Sequence, residues 1–475
     1  MKKVLAITAL ALLSCLVLDA KVTLPSVLGD NMVLQQQTSA ALWGEARPGK
    51  PVTITTSWSK EKTVVVSDKE TGKWLARVAT PVAGGPYSIT ISDGEAVTLK
   101  NVLIGEVWFC SGQSNMEMPM KGYGSQPSKG AIDYILGAKA STPIRICNVK
   151  SVSSKTPMDA VECGWSENTP DAVASTSATA YYFAQRLQSV IDVPVGIIVS
   201  CWGGSSIETW IPKEVIEKEF PEFDLGYLSS DEPRPNDNQS PSLLFNGQVA
   251  PLVPYTFKGM IWYQGETNRG RPEQYTRLQE AYVRTMRKLF AVPAAPFYFV
   301  QIAPYPYGAP DDFCSGYFNE AQQKSLDIIP YSGMAVTCDI GEYGTIHPCR
   351  KEDVGHRLAY LALQNDYGCT AIKAVAPTYK SVEFKDGKAI VAFNVDSEGL
   401  SPMGAEIKGF EIAGSDKVFH PATVFLASGS SVSVSSPDVP EPVAVRYCFR
   451  NWCEGGLYNN YGIPAAPFRT DDWIL

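Results

Sequence analysis

The sequence is poor in histidine, in basic charge and in long apolar runs. It has three histidines among 475 residues, and 49 acidic residues against 41 basic ones give a net charge of −8. This negative excess disfavours a surface that binds nucleic acid or an anionic membrane. Beyond the N-terminal segment, no stretch reaches the ~18 uninterrupted apolar residues of a membrane span. No Cys-x-x-Cys pair and no Cys/His cluster indicates zinc, so we expect neither a metal nor a cofactor.

The N-terminal segment predicts export from the cytosol. Lys2 and Lys3 precede an apolar stretch over residues 4–18, and Ala20 supplies a small residue for cleavage. A positively charged start, an apolar core and a small residue before the cut are the three parts of a secretory signal peptide. We therefore expect residues 1–20 to be removed and the mature protein to be secreted or periplasmic.

The cysteines bear on how the exported chain is anchored and cross-linked. Cys15 offers an alternative, a lipoprotein anchor, but the residues that follow it are still apolar and make a poor lipoprotein start. Of the 11 cysteines, ten remain without Cys15, and disulfides are permitted outside the cytosol. Cys448 and Cys453 are the closest pair, whereas Cys110 and Cys201 end apolar strands and are expected to be buried thiols.

Hydrophobic periodicity divides the mature chain into three parts. Over 21–100, apolar and polar residues alternate, and an Asp-Gly pair at 93–94 between two such runs predicts a hairpin in an N-terminal β-sandwich. Over 101–368, apolar runs alternate with helical stretches, which predicts a mostly parallel sheet with helices on both faces. An acidic, proline-rich insertion at about 213–245 interrupts this rhythm. Over 369–475, alternation returns, with another Asp-Gly hairpin, and predicts a C-terminal β-rich domain.

Polar residues follow four apolar runs of the middle part, at the point where each predicted strand ends. Because ligands of open parallel sheets bind at the carboxyl ends of the strands, we expect these residues to lie close together. They are Ser114, the pair Gly203 and Gly204, Gln264, and His347. A serine, paired glycines, a carboxamide and a histidine are the parts of a serine hydrolase.

A serine hydroxyl needs a neighbouring base to become a nucleophile, and histidine is the usual base. His356 lies off the apolar stripe of a predicted helix and is expected at the surface. His420 lies in the C-terminal β region without a serine or carboxylate cluster beside it. His347 is therefore the candidate base and Ser114 the candidate nucleophile. Taken alone, Ser114 is also typical of a helix cap before Met116.

Attack on an ester carbonyl creates an oxyanion, which needs hydrogen-bond donors aimed at it. The candidates are the backbone N–H of Ser114, a backbone N–H from Gly203 or Gly204, and the side-chain amide of Gln264. Glycine suits the second position because it allows the backbone to approach a substrate closely. Each signal has an ordinary alternative, since paired glycines also form turns and Gln264 or Glu266 can satisfy loop backbone groups. Their joint placement at successive strand ends favours the hydrolase.

The residues around these positions carry a resemblance to a known family. No Gly-x-Ser-x-Gly elbow surrounds Ser114, which argues against the common α/β-hydrolase arrangement. The chain resembles instead the SGNH hydrolases, and among them the sialate O-acetylesterase family of carbohydrate esterases. Four blocks carry the likeness: "GEVWFCSGQSNMEMPM", "WGGSSIETWIP", "GMIWYQGETN" and "DIGEYGTIHPCRKEDVGHRLA". They occur in this order, and similarity extends over nearly the whole mature chain.

The resemblance implies a fold and an activity. It implies a flavodoxin-like three-layer α/β/α domain with N- and C-terminal β-rich domains, and metal-independent removal of O-acetyl groups from sugars. It makes Ser114 the nucleophile and His347 the general base, with Gly204 or Gly203 and Gln264 joining Ser114 in the oxyanion hole. An O-acetylated sugar or glycan is the expected partner, and the oligomeric state stays open.

One position departs from the family pattern. SGNH enzymes commonly have an aspartate three residues before the histidine, and here that position is Gly344. The nearest carboxylates in sequence are Asp339 and Glu342, of which Asp339 is the first choice to orient His347. A backbone carbonyl is the other option, which would leave a Ser-His dyad.

The resemblance favours 9-O-acetylated sialic acids as the substrate. Candidate substrate-binding residues are Glu266 and Asn268 at the end of the third block and Arg269 and Arg271 just beyond it. The two arginines could pair with the carboxylate of sialic acid, although solvated loop arginines are equally common. The alternative within this class is an esterase for acetylated xylan or another plant glycan.

Two readings from other classes remain. A non-catalytic glycan-binding protein would present aromatic side chains of the β domains, such as Trp452 and Tyr458. A metallohydrolase would use Asp339, Glu342 and His347 as ligands. The complete set of four blocks speaks against the first, and indifference to chelators would distinguish a serine mechanism from the second.

Overall fold

The computed structural model of the chain describes residues 22–230 and 236–474. The predicted signal peptide and Cys15 lie outside the described residues, so the predictions about export and anchoring stay predictions. Within the described ranges, no helix combines the length and the hydropathy that crossing a membrane requires.

The N-terminal region is built of β-strands that run directly into the central sheet. The strands are β1 (Val33–Gln35), β2 (Ser39–Glu45), β3 (Pro51–Thr56), β4 (Lys62–Val66), β5 (Lys73–Ala79), β6 (Gly84–Ser92) and β7 (Ala96–Gly112). β2 pairs with β5 in a separate ribbon, while the others form a sheet around β7. The predicted Asp-Gly hairpin joins β6 to β7, and Ser92 at the end of β6 pairs with Ala96 at the start of β7. The domain boundary expected at residue 100 therefore falls inside one continuous strand.

The second half of β7 is the middle of a parallel sheet. The other strands of this sheet are β8 (Ile144–Asn148), β9 (Trp165–Glu167), β10 (Val195–Cys201), β11 (Gly259–Tyr263), β12 (Phe297–Val300) and β13 (Ser332–Ala335). Their spatial order is β13-β12-β11-β7-β10-β8-β9, parallel except for the edge strand β9. Without the β8–β9 edge pair, the order is the 2-1-3-4-5 of flavodoxin-like folds, as predicted. Ligands of such sheets bind where the strand order reverses, beside the first strand, and here that strand is β7.

Helices cover both faces of this sheet. They are α1 (Ser114–Glu117), α2 (Ala131–Gly137), α3 (Pro170–Ser175), α4 (Ala178–Ile191), α5 (Lys213–Glu219), α6 (Pro272–Leu289), α7 (Cys314–Ile328) and α8 (Lys351–Asp366). Successive residues of β7 point to opposite faces. Trp108 packs with α4 and α8, whereas Phe109 belongs to the core on the side of α6 and α7. The second half of β7 is thus buried on both sides, which explains why its sequence is mostly apolar.

The C-terminal region is antiparallel β structure. Its strands are β14 (Thr378–Lys385), β15 (Lys388–Asn394), β16 (Leu400–Ser401), β17 (Phe410–Ala413), β18 (Phe419–Pro421), β19 (Thr423–Ser428), β20 (Ser431–Ser435), β21 (Ala444–Tyr447), β22 (Tyr458–Asn459) and β23 (Phe468–Arg469). They form two four-stranded sheets and one short pair. The second predicted Asp-Gly hairpin joins β14 to β15, and Asp386 and Gly387 both have positive φ, as tight hairpin turns require.

The ten described cysteines are all free thiols. Cys110 and Cys201 are buried, as predicted. Cys448 and Cys453 form no disulfide within the described chain. Their thiols lie together with that of Cys338, and burial raises the pKa of the Cys448 thiol well above its usual value.

Candidate active site

Ser114 stands at the carboxyl end of the central strand. β7 ends at Gly112, Gln113 follows as the helix cap, and Ser114 is the first residue of the single-turn helix α1. Its side chain does not cap a helix; the Oγ lies 2.8 Å from Nε2 of His347. The backbone N–H of Gln113 donates to the carbonyl of Tyr263 at 3.0 Å, which fixes this turn to the neighbouring strand β11. The structure therefore brings together the two residues that the sequence predicts as nucleophile and base.

The second ring nitrogen of His347 contacts a neutral amide. Nδ1 lies 2.7 Å from Oε1 of Gln126. An amide oxygen only accepts hydrogen bonds, so Nδ1 carries the proton and Nε2 is left to accept from the Ser114 hydroxyl. Burial, and after it the charge of Lys351, lowers the pKa of His347 to about 4. The imidazole is therefore neutral at neutral pH, which is the state that a general base needs.

Gln126 is a site residue that the sequence analysis missed. It ends a tight turn in which Tyr123 and Gln126 exchange two backbone hydrogen bonds, of 3.0 and 3.1 Å. The Tyr123 ring packs edge-on against the imidazole, with the centroids 5.3 Å apart. Both side chains of one turn thus hold the same ring. The only signal in the sequence is a glycine-containing turn shortly after the nucleophile block, and such turns are common.

Asp339 does not orient His347. Its two carboxylate oxygens accept from Arg357, both at 2.7 Å, and both side chains are buried. Glu342 is also turned away, because its Oε1 accepts the backbone N–H of Cys349 at 2.6 Å. The prediction that Asp339 is the orienting acid is therefore wrong, and so is the second choice, Glu342. Both carboxylates shape the loop that carries His347, and neither contacts the imidazole.

The oxyanion candidates divide into free and occupied donors. The N–H groups of Ser114 and Gly204 make no hydrogen bond to any residue that the structure describes. Gly204 has φ +70°, a backbone conformation that favours glycine. The N–H of Gly203 donates to Oε2 of Glu117 at 2.9 Å, and a Cβ on Gly203 would lie 2.8 Å from that same oxygen. Ser114 and Gly204 are therefore the donors available to an oxyanion.

Gln264 is not available as an oxyanion donor. Its side-chain nitrogen donates to the carbonyl of Ser205 at 3.0 Å and to Oδ1 of Asn268 at 2.7 Å. The side chain is fully buried, and these two bonds use both of its N–H groups. The prediction for Gln264 is corrected accordingly: it ties the loop after β11 to the glycine loop instead of facing the nucleophile.

Two amide side chains of the acidic insertion hydrogen-bond to the glycine loop, the loop of Gly203 and Gly204. Asn238 donates from Nδ2 to the carbonyl of Gly203 at 2.7 Å, and Gln239 donates from Nε2 to that of Gly204 at 3.1 Å. These bonds hold the two carbonyls on the insertion side. Of the backbone N–H and carbonyl groups of Gly203 and Gly204, the Gly204 N–H is the one without a partner in the described chain.

A buried polar network joins the nucleophile turn to the histidine loop. Lys351 donates from Nζ to Oδ1 of Asn115 at 2.6 Å, and Asn115 donates from Nδ2 to Glu266 at 2.6 Å and to the carbonyl of Ile346 at 3.0 Å. Asn115 follows the serine, and Ile346 precedes His347. Burial lowers the pKa of Lys351 to about 7 and raises that of Glu266. Glu266, predicted to bind substrate, is therefore part of the framework that sets the Ser-His distance.

Of the remaining substrate-binding candidates, two are bound to an acidic side chain and one is not bound to any in the described residues. Asn268 is buried and bonds to Gln264 and Glu208. Arg271 is paired with Glu208 at 2.6 Å. Arg269 differs, since it has no acidic partner within the described residues. Its guanidinium lies 3.9 Å from the Tyr307 ring centroid, and its Nη1 donates to Asn451 at 3.0 Å.

The structure also bears on the prediction for His356 and on the metallohydrolase alternative. His356, expected at the surface, is buried, because α8 packs on α4 and places it beside Tyr182 and Tyr360. Among the described residues no group of three or more His, Cys, Asp or Glu side chains could hold a metal ion. The ligand set Asp339, Glu342 and His347 does not converge, since the two carboxylates are bound to other groups.

The sequence matches one family model over most of this domain. Residues 104–360, more than half of the chain, match the family described as carbohydrate esterase, sialic acid-specific acetylesterase. The chain belongs to this family. Membership confirms the family that the four sequence blocks indicate, and it makes the chain a carboxylic ester hydrolase.

This carbohydrate esterase is similar to known proteins along most of its length. It is 27% identical to the sialate O-acetylesterase of Mus musculus over 93% of both chains. It is 26% identical to that of Homo sapiens, over 93% of this chain and 91% of the human one. A crystal structure of a carbohydrate acetylesterase from Xanthomonas citri is 34% identical and has a TM-score of 0.85, covering 95% of this chain and all of its own. The fold is thus the SGNH type that the sequence predicts.

Proposed function

We propose that this carbohydrate esterase removes O-acetyl groups from sugars through an acetyl-enzyme on Ser114. The observation that carries the proposal is the 2.8 Å contact between Ser114 Oγ and His347 Nε2, with Nδ1 held by Gln126. A nucleophile, a base within hydrogen-bond reach and a third group that orients the base form the arrangement that activates a hydroxyl.

The reaction follows from these contacts in two half-reactions. The Ser114 oxygen attacks the acetyl carbonyl while its proton passes to Nε2 of His347, and the N–H groups of Ser114 and Gly204 stabilise the oxyanion. The C–O bond to the sugar then breaks, and His347 returns the proton to the leaving sugar oxygen. Water attacks the acetyl-enzyme in the same way, with His347 again taking the proton, and acetate leaves.

Covalent labelling of the nucleophile tests the proposal directly. A fluorescent phosphonate that labels activated serines should label the wild-type chain at Ser114, as read by peptide mass spectrometry. Ser114→Ala should abolish the label. Ser111→Ala is the matched control and should keep the label, because Ser111 is a buried serine of β7, three residues before Ser114. A folded Ser114→Ala protein that is labelled and active like wild type would contradict the assignment.

We propose 9-O-acetylated sialic acid as the substrate. The mouse and human relatives are sialate O-acetylesterases, and Arg269 supplies a held guanidinium without an acidic partner in the described chain. A guanidinium in this state is suited to a carboxylate. Arg269→Gln should lower kcat/KM on 9-O-acetylated sialic acid about tenfold and change acetylated xylo-oligosaccharide turnover less. Arg271→Gln, whose arginine is bound to Glu208, is the control and should leave the ratio of the two substrates unchanged.

A neutral plant glycan is the second candidate. The relative with the higher identity, from Xanthomonas citri, is described as a carbohydrate acetylesterase without mention of sialic acid. Initial acetate-release rates on both substrates separate the two candidates. Equal or faster turnover of acetylated xylo-oligosaccharides would replace the sialate proposal and leave the esterase proposal intact.

We propose further that the enzyme acts outside the cytosol. The support is the sequence of residues 1–20 alone. N-terminal sequencing of the protein purified from its native cells should find Lys21 first. A lipid-modified N-terminus at Cys15 would replace this proposal with membrane anchoring.

A further inference from the structure

Two aromatic side chains meet on the surface where the histidine loop reaches the C-terminal region. The rings of Tyr343 and Trp452 are in T-shaped contact, with centroids 5.3 Å apart and planes at 82°. Tyr343 is 59% exposed, and Trp452 is partly exposed. Single exposed rings are common, but two rings in contact form a small apolar surface patch, and such patches are typical of ligand-binding sites.

The pair is fixed on both sides to elements of the active site. Tyr343 lies in the turn closed by Glu342 and Thr345, and the Thr345 hydroxyl accepts the backbone N–H of His347 at 3.1 Å. On the other side, Trp452 follows Asn451, whose Oδ1 accepts from Arg269 at 3.0 Å. The two rings therefore connect the loop that carries the base with the loop that follows β11.

The polar ends of both side chains have no hydrogen-bond partner among the described residues. Neither the Tyr343 hydroxyl nor the Trp452 indole N–H makes a hydrogen bond within the described part of the chain. A pair that only closed the contact between two domains would bury its rings and satisfy these groups. Apolar ring faces beside an unused hydroxyl and an unused N–H complement a pyranose, which has an apolar C–H face and hydroxyls around its edge.

We propose that Tyr343 and Trp452 form a sugar-binding subsite for a pyranose ring of the acetylated glycan. The subsite rests on the proposed function, because it places the sugar beside the loop that carries His347. It does not depend on the sialate choice, since a pyranose face is common to sialylated and neutral glycans. It gives Trp452 a role within the active site rather than in a separate glycan-binding domain.

Calorimetric titration of the full chain with deacetylated oligosaccharides tests the subsite apart from catalysis. The probes are sialyllactose and xylohexaose. Trp452→Ala and Tyr343→Ala should each weaken binding of the preferred probe about fivefold or more. Tyr343→Phe and Trp452→Phe keep a ring and should recover part of the affinity. Phe425→Ala is the matched control, because Phe425 is 66% exposed on β19 of the C-terminal region, and it should bind like wild type.

The outcomes separate this inference from the proposed function. Folded Trp452→Ala and Tyr343→Ala proteins with wild-type affinity would overturn the subsite, and so would a wild-type chain that binds neither probe. A failure of the esterase proposal shows elsewhere, as the absence of acetate release from every acetylated sugar. Tyr343→Ala keeps the test valid if Trp452→Ala misfolds, since the tyrosine is the more exposed partner.

Discussion

The two sides of the active site are built in different ways. On the serine side, Ser114 and Gly204 each follow a strand of the parallel sheet by a few residues, and backbone hydrogen bonds of Gln113 and Trp202 tie these two strand ends to neighbouring strands. On the histidine side, the imidazole is held by Gln126 and Tyr123, two side chains of one turn, and Asn115 of the Lys351 network holds the carbonyl of the preceding residue, Ile346. Strand ends are positioned by the sheet, whereas loops must be positioned by specific side-chain contacts.

The difference has a chemical consequence. In a triad with an aspartate, the carboxylate orients the imidazole and stabilises its protonated form. Here a neutral amide orients His347, and the ammonium of Lys351 lowers the pKa of His347, whereas a carboxylate would raise it. His347 is thus a well-oriented base with weak proton affinity. Such a base stays unprotonated at mildly acidic pH and can still accept the Ser114 proton there. Its weak proton affinity, however, lowers the driving force for that proton transfer.

Removing the nucleophile should have the largest effect. Ser114→Ala should lower kcat roughly 10³-fold or more, because no other group can form the acetyl-enzyme. His347→Ala should have an effect of similar size, since the two residues act as a unit. Acetate release measures both, and circular dichroism checks the fold. A double variant much slower than either single one would mean that the residues act independently.

Removing the amide that orients the base should have the next largest effect. Gln126→Ala leaves Nδ1 without its acceptor, so the ring can turn or change tautomer, and we expect kcat to fall about ten- to a hundredfold. Gln126→Glu keeps the acceptor and adds a negative charge, which should raise the pKa of His347 and move the acid limb of the pH profile upwards. Wild-type kcat in Gln126→Ala would show that another group orients His347.

The contrast between strand ends and loops explains which parts of the fold and the site could be predicted from the sequence. The parallel sheet with helices on both faces and the Ser114–His347 pairing follow from apolar periodicity and from residues at strand ends, whereas the flavodoxin-like order is implied by the resemblance to the family. Gln126 could not be found this way, because it is an unremarkable amide 221 positions from its partner. Asp339 was misjudged because proximity in sequence does not reveal that Arg357 occupies it. Gln264 was misjudged because its two hydrogen-bond acceptors come from neighbouring loops.

The pH dependence should report on the histidine side. A base works only when unprotonated, so kcat/KM should stay level on the acid side of neutrality and fall as the pH drops through the His347 pKa of about 4. Lys351→Met removes a positive charge that lowers this pKa, so the acid limb should move to higher pH. The three residues that contact the ring, Tyr123, Gln126 and Ser114, are not substituted in this variant. An acid limb that stays in place in a folded Lys351→Met protein would rule out the electrostatic effect of Lys351.

The smallest effect on the reaction is expected at Asp339, although it is the first choice from the sequence for the acid that orients His347. Asp339→Ala should leave kcat within about twofold and the pH profile in place, because the carboxylate contacts Arg357 instead of His347. It should lower the free energy of unfolding by about 3–5 kcal/mol, since it leaves the Arg357 guanidinium buried without its partner. Chemical denaturation and steady-state rates on the same preparation measure the two effects. A loss of rate equal to that of Gln126→Ala, with stability unchanged, would return Asp339 to the catalytic machinery and remove the distinction between the two sides of the site.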